Sequence, residues 1–167
     1  ENVGDLESDG YVLEIGRRWE KLMGRLSYHH NDIEIAGQDA GGYSTNGQAN
    51  TIGDSLVATL DYQMNSTWTF GWNAQFVKRE DNVDLYAPVW LPEGTKIDKP
   101  GYAIHDFYAQ WRPSSTEDVA ITLTVRNVFD KYYLDHASVA DIADVNDGVS
   151  GFAEPGRDVR LSVAWQF

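Results

Sequence analysis

The final residues of the chain alternate without a break. Val159, Leu161, Val163, Trp165 and Phe167 are apolar, while Arg160, Ser162, Ala164 and Gln166 between them are small or polar. Successive strand side chains point to opposite faces, so this pattern predicts a strand with one oily and one wet face. Val119, Ile121, Leu123 and Val125 repeat it, interleaved with Ala120, Thr122, Thr124 and Arg126. Trp68, Phe70, Trp72, Ala74 and Phe76 alternate with Thr69, Gly71, Asn73 and Gln75. Leu56, Ala58, Leu60 and Tyr62 form a fourth row, and Leu22, Gly24, Leu26 and Tyr28 a fifth that faces away from Met23, Arg25, Ser27 and His29. Tyr11, Leu13 and Ile15 begin a sixth strand ending near Trp19. Ala103 to Trp111 is less regular, because Ile104 and Tyr108 fall opposite Phe107 and Trp111, but it too reads as a strand. The result is seven strands of about ten residues, the length a tilted strand needs to cross the hydrocarbon layer.

Short and long connections alternate strictly. Short ones lie at Glu20-Lys21, Met64-Asn65-Ser66 and Pro113 to Asp118; long ones cover Ala36 to Gly53, Arg79 to Gly101 and Lys131 to Arg157. Tight turns at one end and extended loops at the other describe an antiparallel transmembrane β-barrel of the outer-membrane type. A soluble sandwich would also alternate apolar and polar residues, but its loops need not sort by end. Bacterial single-chain barrels have an even number of strands. Seven strands therefore point to residues 1–167 being the C-terminal part of a larger barrel. The alternative is an eighth strand within Glu1 to Gly10 that closes a small barrel with a structural or adhesion role; Ser8-Asp9-Gly10, however, reads as a loop.

Composition sharpens this picture. The 167 residues are 42% hydrophobic and 13% aromatic, with six Trp and nine Tyr, while the mean hydropathy is −0.45. So many aromatics in a polar chain imply side chains segregated by face. Thirteen Lys+Arg against 26 Asp+Glu give a net charge of −13, which argues against nucleic-acid binding. The absence of Cys excludes disulfides, thiolate metal sites and Cys nucleophiles. No apolar run is long enough for a transmembrane helix, and Glu1-Asn2-Val3-Gly4 does not read as a signal peptide.

Arg126-Asn127-Val128-Phe129-Asp130-Lys131-Tyr132-Tyr133 is followed by Glu154-Pro155-Gly156-Arg157-Asp158 and a strand ending in Phe167. Asp130 suits a strand end, Tyr132 and Tyr133 an outer aromatic girdle, and Pro155-Gly156 a chain reset. These segments resemble the C-terminal end of TonB-dependent outer-membrane receptors, with Val128 in place of the more usual Leu. Pro100 to Asp106, Gln110 to Pro113 and Gly71-Trp72 resemble the heme and haemoglobin receptor branch. The resemblance implies about seven C-terminal strands of a 22-stranded plugged barrel in the Gram-negative outer membrane, with the plug and N-terminal strands absent from these residues. It implies a transporter, not an enzyme, taking up heme or a ferric siderophore and holding no intrinsic cofactor. Its implied partners are the TonB energy-coupling complex acting through the plug, outer-membrane lipid and lipopolysaccharide, and the barrel assembly machinery reading Phe167.

Candidate site residues are few. His29 and His30 point to opposite faces and cannot clasp one metal together. His105 lies on a strand near its outer rim. His136, in the longest loop beside Asp135 and Ser138, could reach a heme iron as a neutral imidazole, or remain a solvated loop residue. In the heme branch, the usual ligating histidines lie in the plug and near a Phe-Arg-Ala-Pro segment, neither of which occurs here. Arg126 and Arg160, on neighbouring strands, would be lumen-facing and could meet acidic groups of a plug. Oxygen-rich loops such as Asp144-Val145-Asn146-Asp147-Gly148 resemble part of a calcium loop, but the spacing and the closing Glu are wrong, so the expectation is no metal site. No catalytic constellation emerges; Ser138 near His136 is the only local hint, and loop neighbours do not make an oriented dyad.

Overall fold

A lone strand leaves its backbone N–H and C=O groups unpaired, so rows of alternating residues must assemble side by side. The structure, a computed structural model, describes residues 5–35, 38–39, 52–84, 96–113, 118–138, 140–141, 150–151 and 153–166. In chain order its strands are β1 (Leu6–Arg18), β2 (Leu22–Ile35), β3 (Gln38–Asp39), β4 (Ser55–Gln63), β5 (Trp68–Val77) and β6 (Glu80–Asp84). They continue as β7 (Lys96–Lys99), β8 (Tyr102–Trp111), β9 (Val119–Arg126), β10 (Ala140–Asp141), β11 (Ser150–Gly151) and β12 (Asp158–Trp165). The seven expected strands form one antiparallel sheet in the order β1-β2-β4-β5-β8-β9-β12, each beside its neighbour in the chain. β3 pairs antiparallel with the end of β2, while β6 with β7 and β10 with β11 form small ribbons within the long connections. Among the described residues β1 and β12 are the two edges and do not pair with each other.

Register turns the strand patterns into two continuous faces. Gly24, Leu60, Trp72, Phe107, Val125 and Val159 lie opposite one another in a single row across six strands. Gln63, Thr69, Gln110, Thr122 and Ser162 form a corresponding row on the other face. Ile104 and Tyr108 take the polar face with Asp106, so the irregular strand keeps the common parity. Ala74, Val77 and Tyr102 are the buried hydrophobic residues, whereas Leu13, Ile15, Phe107, Leu161 and Trp165 remain exposed. An oily face this wide, with no second layer over it among the described residues, fits lipid as its covering.

The short-connection end is built locally. Trp19 donates its N–H to the Leu22 carbonyl at 2.7 Å to close the first turn. In the second, the Asn65 Oδ1 accepts from the Thr67 N–H, the Thr67 hydroxyl and the Trp68 N–H at 2.9, 2.8 and 2.8 Å. This side-chain mimicry of a backbone turn is the reason Asn suits the position. Trp19, Trp68, Trp111 and Trp165 all emerge on the oily face at this end. Trp68 stacks on Trp111 and on Phe70, with ring centroids 6.1 and 5.8 Å apart. Tyr11, Tyr28, Phe76 and Phe129 ring the opposite end. Strand β5 runs from one belt to the other, a path of about 26 Å at about 3.3 Å per residue, matching an apolar band crossed at a tilt.

Two expectations need correction. Ser8-Asp9-Gly10 is not a loop but part of β1, paired with Ile33, Asp32 and Asn31. The outer half of β2 supplies those ladder partners, and the Ser8 hydroxyl donates to Asn31 Oδ1 at 3.1 Å. Strand that projects beyond lipid needs no oily face, so alternation gives no sign of it. Residues 6–10 are thus not an additional strand, while residues 1–4 lie outside the described ones. Nor do both tyrosines join the girdle: Tyr132 is exposed, but Tyr133 packs on Tyr102 with centroids 4.6 Å apart. Phe167 lies outside the described residues.

Candidate functional site

The long-connection rim is organised by the Asn127-to-Asp130 turn. Asn127 and Asp130 both adopt the left-handed backbone conformation, with φ of 45° and 53°, a region that Asn and Asp tolerate better than most residues. The buried Asn127 amide donates to the Lys131 carbonyl at 2.8 Å and its Oδ1 accepts the Lys131 N–H at 2.8 Å. Its backbone N–H donates to Asp106 Oδ1 on β8 at 2.8 Å. Asp130 Oδ1 accepts the Arg157 N–H at 2.8 Å, and a Cβ at Gly156 would come within 2.7 Å of that oxygen. The Asn-Val-Phe-Asp and Pro-Gly-Arg segments therefore form a latch between the end of β9 and the start of β12. That is a structural account of the motif, and it requires no ligand.

His136 sits beside this latch and is fully buried. Its Nε2 lies 3.0 Å from the Pro100 carbonyl, and its ring meets Tyr102 edge-on at 5.7 Å. Tyr102 donates to Asp135 Oδ2 at 3.1 Å, and Ser138 donates to Glu154 Oε1 at 2.8 Å. Ser138 thus points its hydroxyl toward Glu154, giving the loop neighbours Ser138 and His136 separate partners. The fold brings His136 to the base of two long connections instead of their tips.

A second cluster brackets the start of β4. His30 Nδ1 is 2.5 Å from Asp54 Oδ1 and its Nε2 is 3.0 Å from Asp32 Oδ2, while Lys78 Nζ is 3.0 Å from Asp54 Oδ2. Hydrogen bonds, the largest from His30 and then those from Lys78 and Tyr28, outweigh partial burial and hold the Asp54 carboxyl down at about 2. Nearby, Lys99 is fully buried with its ammonium 3.2 Å from Glu80 Oε2. Burial lowers its pKa against the pull of Glu80. Gly53, at φ 70°, leaves room for the same Glu80, whose Oε1 would lie 1.7 Å from a Cβ there. Three long connections are thereby pinned at their roots.

The polar face carries the rest. His29 shares it with Ser27 at 2.9 Å, while His30 takes the other face, as the alternation requires. His105 is on the oily face, where its Nδ1 accepts the Trp72 indole N–H at 3.2 Å. Arg126 lies opposite Asp158, and Arg160 opposite Thr124, both on the polar face. The Arg160 guanidinium pairs with the Asp158 carboxylate. Tyr108 lies across Gly71, where a Cβ would be 1.8 Å from its ring, and donates to Asp61 Oδ1 at 2.6 Å. Nothing in the sequence marks Asp61, Asp54 or Lys99 as site residues, or Tyr108 as more than a break in the alternation of its strand. Parity places Asp61 and Tyr108 on one face, but only the register makes them neighbours. Among the described residues no group of three or more His, Asp or Glu could hold a metal ion; Asp144 to Gly148 lies outside them.

The described residues form a two-faced sheet with aromatic belts, tight turns at one end and anchored loop roots at the other. Residues 1–128 match the family model described as TonB dependent receptor-like, beta-barrel. The TonB-dependent heme receptor A of Haemophilus ducreyi is 32% identical over 174 residues, covering 99% of this chain and 21% of that protein. Among solved structures, the FrpB iron transporter from Neisseria meningitidis (F5-1 variant) superposes with a TM-score of 0.76 at 22% identity, covering 97% of this chain and 24% of its own. The copper transporter OprC does so with a TM-score of 0.72 at 17% identity, covering 98% of this chain and 24% of its own. The chain spans about a fifth of the length of the heme receptor and about a quarter of the two transporters. Sheet order, sorted ends and the match over residues 1–128 agree, and the chain belongs to the TonB-dependent receptor-like β-barrel family.

Proposed function

We propose that these residues form part of the wall of an outer-membrane receptor that takes up an iron-bearing ligand, heme in preference to a ferric siderophore. In this reading they are the C-terminal part of the barrel, and the plug and N-terminal strands belong to the rest of the polypeptide. One observation carries the heme assignment: the 32% identity to a heme receptor runs across 99% of the chain, loops included. The likeness to FrpB and OprC, below 25% identity, supports the fold alone.

In this proposal the oily face meets lipid and lipopolysaccharide, and the polar face with Arg126 and Arg160 lines the lumen. The TonB complex acts from the short-turn side through a plug, and the terminal strand with Phe167 is read by the assembly machinery. His136 as a heme ligand requires the segment from Tyr132 to Ser138 to lift, because the ring is buried with its Nε2 against Pro100. The test is growth of cells that lack other heme receptors and express the full-length receptor, with hemin or a ferric siderophore as the sole iron source. Growth on hemin that depends on the energy-coupling protein supports the proposal. Growth on the siderophore alone overturns the heme assignment, and growth on neither overturns the uptake reading. Purified His136→Ala receptor that binds hemin with an unchanged Soret spectrum would remove His136 from the ligand set.

A further inference from the structure

Five arginines lie within the seven strands of the sheet, and four of them obey its polarity. Arg18, Arg25, Arg126 and Arg160 take the polar face. Arg17 stands on the oily one, opposite Gly24, at the head of the row that continues through Leu60 and Trp72. From Tyr11 and Tyr28 to the short turns, no Asp or Glu shares that face on any of the seven strands. Among the described residues Arg17 forms no ion pair; its guanidinium lies over the Trp19 ring, 5.5 Å from the centroid.

Beside Arg17 the oily face is hollowed into a recess of about 340 Å³. The small residues Gly24 and Ala58 leave it open, and Leu26, Leu60 and Trp72 wall it. A Cβ at Gly24 would stand 3.2 Å from Leu60 Cδ2 and 3.4 Å from the Trp19 ring. Glycine therefore lets the indole settle against the sheet, with Arg17 across it. The tryptophan belt places this end of the oily face at a membrane–water boundary, where a long cationic side chain can send its head away from the hydrocarbon. A cation above an apolar trough suits a ligand with an anionic head and an apolar tail. To a phosphate, guanidinium offers two parallel N–H donors.

We propose that this recess is a selective site for an anionic glycerophospholipid of the leaflet at the short-turn end. Its phosphate meets Arg17, and one acyl chain lies over Gly24 and Ala58 between Trp19, Leu60 and Trp72. Lipid that merely covers an oily wall needs no particular head group. This site has a preference, because the phosphodiester meets a cation for which no carboxylate on the same face competes. A zwitterionic phospholipid carries its own ammonium beside the phosphate and gains less from Arg17. A free phosphate would leave the apolar trough unfilled. The inference rests on the membrane-barrel reading, which supplies lipid to the oily face.

The test is native mass spectrometry of the full-length receptor, purified in detergent and offered equal amounts of phosphatidylglycerol and phosphatidylethanolamine with matched chains. The unaltered receptor should retain phosphatidylglycerol about fivefold over phosphatidylethanolamine, and the preference should shrink as salt in the incubation rises. Arg17→Gln should bring the two lipids to parity, whereas Arg112→Gln, which removes a cation bordering the polar side of the same end, should leave the preference intact. Ala58→Phe fills the recess and should lower retention of both lipids. Should that variant fail to assemble, the two arginine variants and the salt series decide. Equal retention by the unaltered receptor, a preference untouched by Arg17→Gln or equally lost in Arg112→Gln, or retention untouched by Ala58→Phe overturns the site and leaves the barrel standing. A receptor that stays monomeric in water without detergent or lipid overturns the membrane reading, and the site with it.

Discussion

Asp54 shows how a single side chain can organise a rim. Its carboxyl sits below the ordinary Asp value of 3.8, at about 2, chiefly through the His30 ring. A depressed folded pKa means that the stabilisation is present above pH about 4 and lost as pH falls through about 2. The thermal transition of the full-length receptor should therefore fall as pH falls from about 4 to about 2, with part of that fall absent in Asp54→Asn. A slope identical in the two proteins would contradict the role given to Asp54. Gly71 makes a different point. A Cβ there would lie 1.8 Å from the Tyr108 ring, so Gly71→Ala must push the ring off the wall and away from Asp61. The expected cost is about 1–3 kcal/mol by urea unfolding, suppressed in a Tyr108→Ala background. Neither contact could be read from the chain, since Asp61 and Tyr108 are 47 positions apart and strand register is not written in either strand alone.

Strands were far more legible than contacts. Period-two alternation in Trp68 to Phe76 and in Val159 to Phe167 gives each strand one oily and one wet side, and the connections sorted by length, which a soluble sandwich does not need, assign the oily side to lipid. It fails where a strand leaves the hydrocarbon layer, as in Ser8-Asp9-Gly10, and in the ribbons β6–β7 and β10–β11. The motif from Asn127 to Arg157 was legible as a family mark, but its work as a latch emerged only from the Asn127 and Asp130 hydrogen bonds. A test of the faces follows. Phe107 lies midway along β8 on the oily side, and Asn73 lies on the polar side of the adjacent strand. Phe107→Arg should cost about 2–4 kcal/mol in folding into bilayers, whereas Asn73→Arg beside Asp106 should be near neutral. Equal penalties at both sites would refute the assignment of faces.

Taken as one object, the sheet has one oily and one wet side, and the described roots of its long connections are anchored by hydrogen bonds and ion pairs. Its four rim tryptophans, Trp19, Trp68, Trp111 and Trp165, share the oily side of the short-turn end, while Trp72 stands near mid-span. The molecule thus carries a built-in optical depth gauge. Brominated lipids confined to the leaflet nearest the turns should extinguish the emission of those four indoles, and the same lipids in the opposite leaflet should leave it bright. Reversing the protein's insertion would exchange the two outcomes, so native fluorescence alone can read which way round the wall was built.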